Sequence, residues 1–283
     1  MALQPYWALS CYITTFDEVV RSGRIHYKPV GAGTGFIYRC NEKYYLVTCR
    51  HVLCIEEVNY MPQKVKIILW ASKRGKDEQK VFEAHAYTVS LNLWDGDESV
   101  WLQHKNAETP DYEFSKQIGA VLHVPDVAIV DLTEHLSSKG LKPAFAIENK
   151  HMVPEDVRFA PGTRLFVLGF PKGFFDPTRP LALSIPATLT SPYGVNFLGK
   201  PCFLVTAPGR EGLSGSPLLY SDVFLQREEG VHLGTHFLLL LGVFSAGEQL
   251  QNRLYFGLGG CCIVWYPGVI SEIISNGVRH KIQ

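Results

Sequence analysis

The chain has 283 residues, of which 46% are hydrophobic; this is enough apolar material for a well-buried core and argues against disorder. Lys plus Arg and Asp plus Glu each number 27, so the net charge is zero and no overall field favours nucleic acid or a membrane as partner. No signal peptide is expected, because the first residues lack a basic n-region and Pro5, Ser10 and Asp17 interrupt any apolar core. No membrane span is expected either, because the most apolar window, 237–243, is far shorter than the about 20 residues a spanning helix needs. Seven cysteines without regular spacing indicate free thiols, and therefore a cytoplasmic protein.

Short apolar runs between Gly, Pro and Asn clusters predict an all-β fold. The predicted strands are 35–39, 44–48, 65–70, 127–132, 165–168 and 203–206. Polar stretches at 73–78, 95–98 and 105–111 predict hairpin tips and loops, because runs with so few apolar residues cannot pack inside. Near the end, Pro267 can start a helix. Its apolar positions, which fall on one side, are Val269, Ile270, Ile273 and Ile274.

Three segments contain side chains suited to nucleophilic catalysis. A strand-like run, Leu46-Val47-Thr48, is followed closely by His51. Asp126 opens a second apolar run. Ser214 stands between glycines whose bare backbone can turn sharply and direct N–H groups at one point. The chain order is His, Asp, Ser.

These segments resemble the trypsin-like peptidases of the chymotrypsin fold, and more closely the Do/HtrA-type and glutamyl-endopeptidase branches. Five motifs in order, spread over most of the chain, account for the resemblance: 33–36 (GTGF), the His51 segment, the Asp126 segment, 168–173 (LGFPKG), and the Ser214 loop with 241–247 (LGVFSAG).

The resemblance implies an all-β fold of two six-stranded antiparallel β-barrels with a short C-terminal helix. It also implies the following division of the chain: an N-terminal arm 1–29, a first barrel 30–135 with polar loop insertions, a linker 136–160, a second barrel 161–266, and a helix and tail 267–283.

The resemblance also assigns roles. Ser214 would be the nucleophile, His51 its general base, and Asp126 the group that orients His51. The backbone N–H groups of Gly212 and Ser214 would form the oxyanion hole. No cofactor is implied.

Other interpretations of the same residues stay open. Ser214 could be an ordinary turn serine, with Ser216 as a local rival, and His51 could be a packed core histidine. Asp111 and Asp131 compete with Asp126. Two spacings, Cys49-x-His51-x-x-Cys54 and His232-x-x-x-His236, offer metal ligands, but neither supplies four ligands at zinc-site spacing, so no metal is expected.

Activation and specificity are expected to differ from the digestive enzymes. Leu213 stands where they carry the aspartate that pairs with a newly cut N-terminus, so activation by that salt bridge is not expected. The primary pocket would have Pro208 at its floor, where trypsin-like enzymes hold Arg or Lys with a carboxylate, and a wall formed by Ser245, Ala246 and Gly247. This lining predicts cleavage after a small or apolar residue.

The sequence therefore predicts a selective serine endopeptidase that acts on a protein or peptide and is controlled by loop ordering or a regulatory protein partner. Nucleic acid and membrane are not expected as partners. A barrel used only for binding is one alternative. An esterase or acyl-transfer activity on the same triad is another.

Overall fold

A computed structural model of the chain describes residues 5–73, 84–118, 123–227, 230–245 and 260–282. The strands are β1 Ser10–Arg21, β2 Arg24–Cys40, β3 Lys43–Thr48, β4 Lys64–Lys73, β5 His85–Asn92, β6 Trp94–Asp95, β7 Glu98–Gln103, β8 Ala128–Asp131, β9 Leu141–Pro143, β10 Arg164–Gly169, β11 Leu183–Leu189, β12 Cys202–Thr206, β13 Ser216–Arg227, β14 Gly230–Ser245, β15 Cys261–Trp265 and β16 Val278–Lys281. The α-helices are α1 Arg50–Leu53, α2 Tyr112–Ile118, α3 Thr133–Ser138 and α4 Gly268–Asn276.

The described strands form two sheets. The first has ten strands in the order β16-β7-β8-β3-β2-β1-β4-β5, with β6 on β7 and β9 on β4, and it curls into a half-barrel. The second is a closed barrel in the order β10-β11-β12-β15-β14-β13. This architecture confirms the predicted chymotrypsin-like fold class.

Alternation of buried and exposed residues explains why these segments form strands. In β4 the buried residues recur at every second position, as expected for a strand with one face on the core. The hairpin of β1 and β2 turns at Ser22 and Gly23, whose φ angles of 51° and 73° lie in the left-handed region that a two-residue hairpin turn requires.

The C-terminal helix begins where the sequence predicted. Pro267 is its N-cap, and Val269, Ile270 and Ile273 are buried. Beyond it, β16 returns to the first sheet and pairs with β7. The chain end therefore fastens onto the first sheet.

Ser10–Arg21, which the sequence assigned to an N-terminal arm, is β1, a strand inside the first sheet that pairs with both β2 and β4. No described helix is long and apolar enough to cross a lipid bilayer. All seven cysteines are free thiols.

Candidate active site

His51 lies in the single turn of α1, directly after β3. Cys49, the residue before α1, is extended and buried, so the chain leaves the sheet and turns sharply before the histidine. The His51 side chain is 25% exposed and is therefore open to a reactant on one side.

Asp126 is a buried carboxylate whose two oxygens accept three hydrogen bonds. Its Oδ1 accepts from the backbone N–H of His51 at 3.0 Å. Its Oδ2 lies 2.6 Å from His51 Nδ1 and accepts from the hydroxyl of Ser245 at 3.0 Å. Because the Nδ1–H bond faces Asp126, the other ring nitrogen, Nε2, is left for an acceptor role.

The ion pair shifts the pKa values of both partners. Burial by itself would lower the pKa of His51, but the charge and hydrogen bond of Asp126 outweigh it, and the net pKa is raised. Burial would raise the pKa of Asp126, whereas His51 and the bond from Ser245 lower it below its ordinary value. The carboxylate is thus ionised at neutral pH and holds the imidazole in one orientation.

The Ser214 loop packs directly against the segment that leads to His51. Gly215 has φ of 86°, and a Cβ there would collide with the carbonyl of Thr34 and the hydroxyl of Thr48. The Gly215 N–H donates to the Phe244 carbonyl at 2.8 Å. Only glycine fits this close approach, which brings the buried Ser214 beside the end of β3.

Thr34 of β2 ties the loop to the first sheet. Its N–H donates to the Ser214 carbonyl at 2.9 Å, and its hydroxyl donates to the Gly212 carbonyl at 2.7 Å. The same hydroxyl accepts from the Phe170 N–H at 3.1 Å. One fully buried residue therefore binds both of the residues predicted to form the oxyanion hole, Ser214 through its backbone and Gly212 through its side chain.

The peptide between Glu211 and Gly212 has a fixed orientation. The Glu211 carbonyl accepts from the Lys172 N–H at 2.6 Å, and in a planar trans peptide the N–H points opposite to the carbonyl. Gly212 has φ of 86°, and a Cβ there would collide with the Phe170 carbonyl. The Gly212 N–H is accordingly directed away from Lys172 and held in that direction.

The residues predicted for the specificity pocket are placed as follows. Pro208 is exposed on the loop after β12. Ser245 ends β14, and its hydroxyl contacts Asp126, a support for the carboxylate that the sequence did not indicate. Ala246 and Gly247 lie outside the described residues. The pocket stays a prediction.

The rival residues lie elsewhere. Asp131 accepts from the Thr133 N–H and contacts Lys43, and Asp111 pairs with Lys200. Ser216 opens β13, and its buried hydroxyl has no partner among the described residues. His232 and His236 belong to β14, and their side chains lie outside the described part of the chain.

A metal does not fit the residues around His51. Ligand atoms of Cys49, His51 and Asp126 lie within 4.8 Å of one another. However, zinc ligands at ordinary bond lengths sit about 3.2–3.8 Å apart, whereas His51 Nδ1 and Asp126 Oδ2 are hydrogen-bonded at 2.6 Å. Burial raises the pKa of Cys49 well above its ordinary value, so this residue is a thiol that donates to the Phe244 carbonyl.

Comparison with known proteins gives a match only among solved structures. No protein-family model matches the chain. A search of curated proteins gives no match either. Among solved structures, the chain is similar to the inactive form of a serine-to-alanine mutant of Rv3671c from M. tuberculosis H37Rv. The identity is 14% over 95% of this chain and 85% of that chain, with a TM-score of 0.43.

Proposed function

We propose that this protein is a serine endopeptidase that cleaves polypeptides through an acyl-enzyme on Ser214. The observation that carries the proposal is the buried Asp126 carboxylate, which binds both the backbone N–H and Nδ1 of His51 at the point where the Ser214 loop meets the first sheet. The buried His123 and His280 also pair with carboxylates, but those of Glu57 and Glu56 are partly exposed, whereas the carboxylate of Asp126 is buried and its histidine is the partly exposed partner.

In the proposed reaction His51 Nε2 removes the proton of Ser214 as its Oγ attacks the substrate carbonyl. The oxyanion is stabilised by the N–H groups of Gly212 and Ser214. His51 then gives the proton to the leaving amine, and the C–N bond breaks. A water molecule, deprotonated by His51, hydrolyses the ester and restores the serine. Throughout, Asp126 stabilises the imidazolium.

The orientation of the Glu211–Gly212 peptide supports activity without processing of the N-terminus. Leu213 cannot form the salt bridge that such processing would create, whereas the bond from Lys172 to the Glu211 carbonyl already directs the Gly212 N–H. Control by loop order or by a protein partner remains part of the proposal. So do a relationship to the Do/HtrA-type and glutamyl-endopeptidase branches and the preference for a small or apolar residue before the scissile bond.

A fluorophosphonate probe tests the proposal. An activated serine displaces fluoride and forms a stable Oγ–P bond, and this requires nucleophile, base and oxyanion donors together. We expect wild-type protein to be labelled and Ser214→Ala and His51→Ala to be unlabelled. Ser216→Ala is the matched control, since this serine lies two residues away in the same segment, and it should label like wild type.

The result would count against the proposal if wild type were unlabelled or if Ser214→Ala still reacted. Hydrolysis of a denatured protein substrate, compared with that of a chromogenic ester, separates a peptidase from an esterase. Ester turnover without any peptide cleavage would replace the endopeptidase by an esterase on the same residues.

We also propose that the protein works in a reducing compartment, because its seven cysteines are free thiols and most are buried. Alkylation of the protein in cell lysate under denaturing, non-reducing conditions, followed by mass measurement, should add seven labels. Fewer labels, recovered after reduction, would contradict this.

A further inference from the structure

The hairpin of β1 and β2 extends beyond the rest of its sheet. Pairing of β1 with β4 ends at Phe16, and pairing of β2 with β3 begins only at Phe36. Between Asp17 and Lys28 the two strands pair only with each other among the described residues. We call the two-stranded part from Asp17 to Lys28 the ribbon.

The ribbon strand of β2 has two chemically different faces. Residues 24–29 are all exposed, and side chains in a strand alternate between faces. Arg24, His26 and Lys28 share one face. Ile25, 59% exposed, and Tyr27, 40% exposed, share the other, where Ile25 stands opposite Val20, which is 71% exposed. A basic face and an apolar face therefore lie along one solvent-exposed strand.

The outer edge of this strand also offers backbone hydrogen bonds. Because the turn has two residues, its flanking pair Arg21 and Arg24 bonds within the hairpin, and the next pair, Val20 and Ile25, directs its N–H and C=O groups outward. By the same alternation, the backbone N–H and C=O groups of Tyr27 also point outward. No described residue pairs with these backbone groups of Ile25 and Tyr27.

The charges along the ribbon favour an acidic partner. Arg21 and Arg24 form no ion pair with any described residue, and Lys64 lies 3.7 Å from the centre of the Tyr27 ring. The ribbon's two carboxylates are not opposite these arginines: Asp17 is paired in register with Lys28, and Glu18 is paired in register with Tyr27 and accepts a hydrogen bond from its hydroxyl. Cations thus remain without a counter-charge on a chain whose overall charge is zero.

This edge runs directly to the candidate active site. The same strand, β2, contains Thr34, whose N–H binds the Ser214 carbonyl. At about 3.3 Å per residue, Tyr27 is about 23 Å from Thr34 along the strand. A polypeptide with its scissile bond at Ser214 can therefore reach the ribbon with a segment about seven to ten residues away.

We propose that the ribbon is an exosite that binds an extended segment of the substrate with alternating acidic and apolar side chains, added as a strand to the outer edge of β2. The acidic residues would face Arg24, His26 and Lys28, and the apolar ones Ile25 and Tyr27. The link to cleavage rests on the proposed peptidase function, but binding to the ribbon does not.

Binding is therefore measured on full-length Ser214→Ala protein, which needs no activity. The probe is a fluorescent peptide of alternating Glu and Val, and the comparison is a peptide of equal composition with the Glu and Val residues in two blocks. We expect the alternating peptide to bind more tightly, and binding to weaken with added salt because the charges are exposed. Arg24→Glu with Lys28→Glu should reduce affinity about tenfold or more, because attractive cross-strand pairs become repulsive.

Lys139→Glu is the control, since this exposed lysine lies far from the ribbon in sequence and changes the net charge in the same direction. It should bind the alternating peptide like the parent protein. Equal binding of the two peptides, or equal binding by the ribbon variant, would overturn the proposal. So would binding to phosphatidylserine vesicles without peptide binding, or a dimer that the ribbon variant abolishes.

Failure of the proposed peptidase function would look different, because wild type would then fail to label with the fluorophosphonate while the alternating peptide still bound. In labelled, active protein, a peptide substrate carrying the alternating segment should show a lower KM than one lacking it, and only the first should respond to the ribbon variant.

Discussion

Replacing Thr34 by valine tests how the two sheets hold the candidate oxyanion hole. Valine has nearly the same shape but no hydroxyl, so the Gly212 carbonyl and the Phe170 N–H both lose a partner in a fully buried place. A buried group left without its hydrogen bond costs about 1–3 kcal/mol. Two such groups, with partial relaxation, should lower the free energy of unfolding by about 2–4 kcal/mol.

The catalytic effect should exceed what stability alone explains. Gly212 contributes one predicted oxyanion donor, and loss of such a donor lowers kcat by about 10²–10³. In Thr34→Val the Gly212 N–H is still present but is held less firmly. This should lower kcat for an ester substrate about tenfold or more, with little change in KM. Urea denaturation gives the unfolding free energy, and initial rates well below the transition give kcat and KM.

Thr34→Ser is the matched control. It keeps the hydroxyl and loses one methyl group, which is worth about 0.8 kcal/mol. It should therefore retain most of the activity. If Thr34→Ser and Thr34→Val lowered kcat equally, the hydroxyl would have no role in positioning Gly212, and the reasoning from these two hydrogen bonds would be refuted.

Four further outcomes are expected. Asp126→Asn should reduce kcat about 10⁴-fold. It should also move the acid limb of the pH–rate profile to lower pH, because this limb reports the loss of a proton from His51, whose pKa Asp126 raises. An acid limb at the same pH would contradict the ion pair. Ser245→Ala should lower the unfolding free energy at pH 7 by about 1.5–3 kcal/mol, the range for a bond to a charged group, and unchanged denaturation would deny that bond. Ellman titration of native protein should find one fast thiol, lost in Cys40→Ser, because Cys40 is the one cysteine that is not buried; several fast thiols would argue against the packing. Burial and Arg50 lower the pKa of His280, so the free energy of unfolding should fall as pH drops below about 6.5. In His280→Gln, the unfolding free energy measured with urea should depend less on pH between about pH 5 and 7.

The all-β class could be predicted because strand alternation is local. The pairing of the strands could not be predicted. β1 looked like part of an arm because nothing near it in sequence shows that β4, some fifty residues later, completes its pairing. The short β16 was missed for the same reason: it follows the second barrel in sequence, whereas its partner β7 precedes that barrel.

The candidate site, too, was predictable only where its residues stand in local motifs. His51, Asp126 and Ser214 stand in recognisable local motifs, and the structure brings the first two into contact. The supports were not predictable: Ser245 reaches Asp126 across 119 residues, and Thr34 reaches Gly212 across 178. Serine and threonine in strands have no pattern that reveals a distant partner, so only the folded arrangement assigns them.

The buried carboxylate links docking of the two sheets to ionisation of the site. Asp126 and His51 come from the first sheet, whereas Ser245, which helps to keep the Asp126 pKa low, comes from the second. Without the second sheet, Asp126 would lose that donor, and its negative charge would be less favoured relative to the neutral acid. The first sheet alone therefore lacks part of what holds the imidazole, and the second alone lacks Thr34, which holds Gly212. Each sheet supplies hydrogen bonds that the reactive groups of the other sheet need. A change that weakens the contact between the two sheets should therefore reduce the reactivity of Ser214 before it unfolds either sheet.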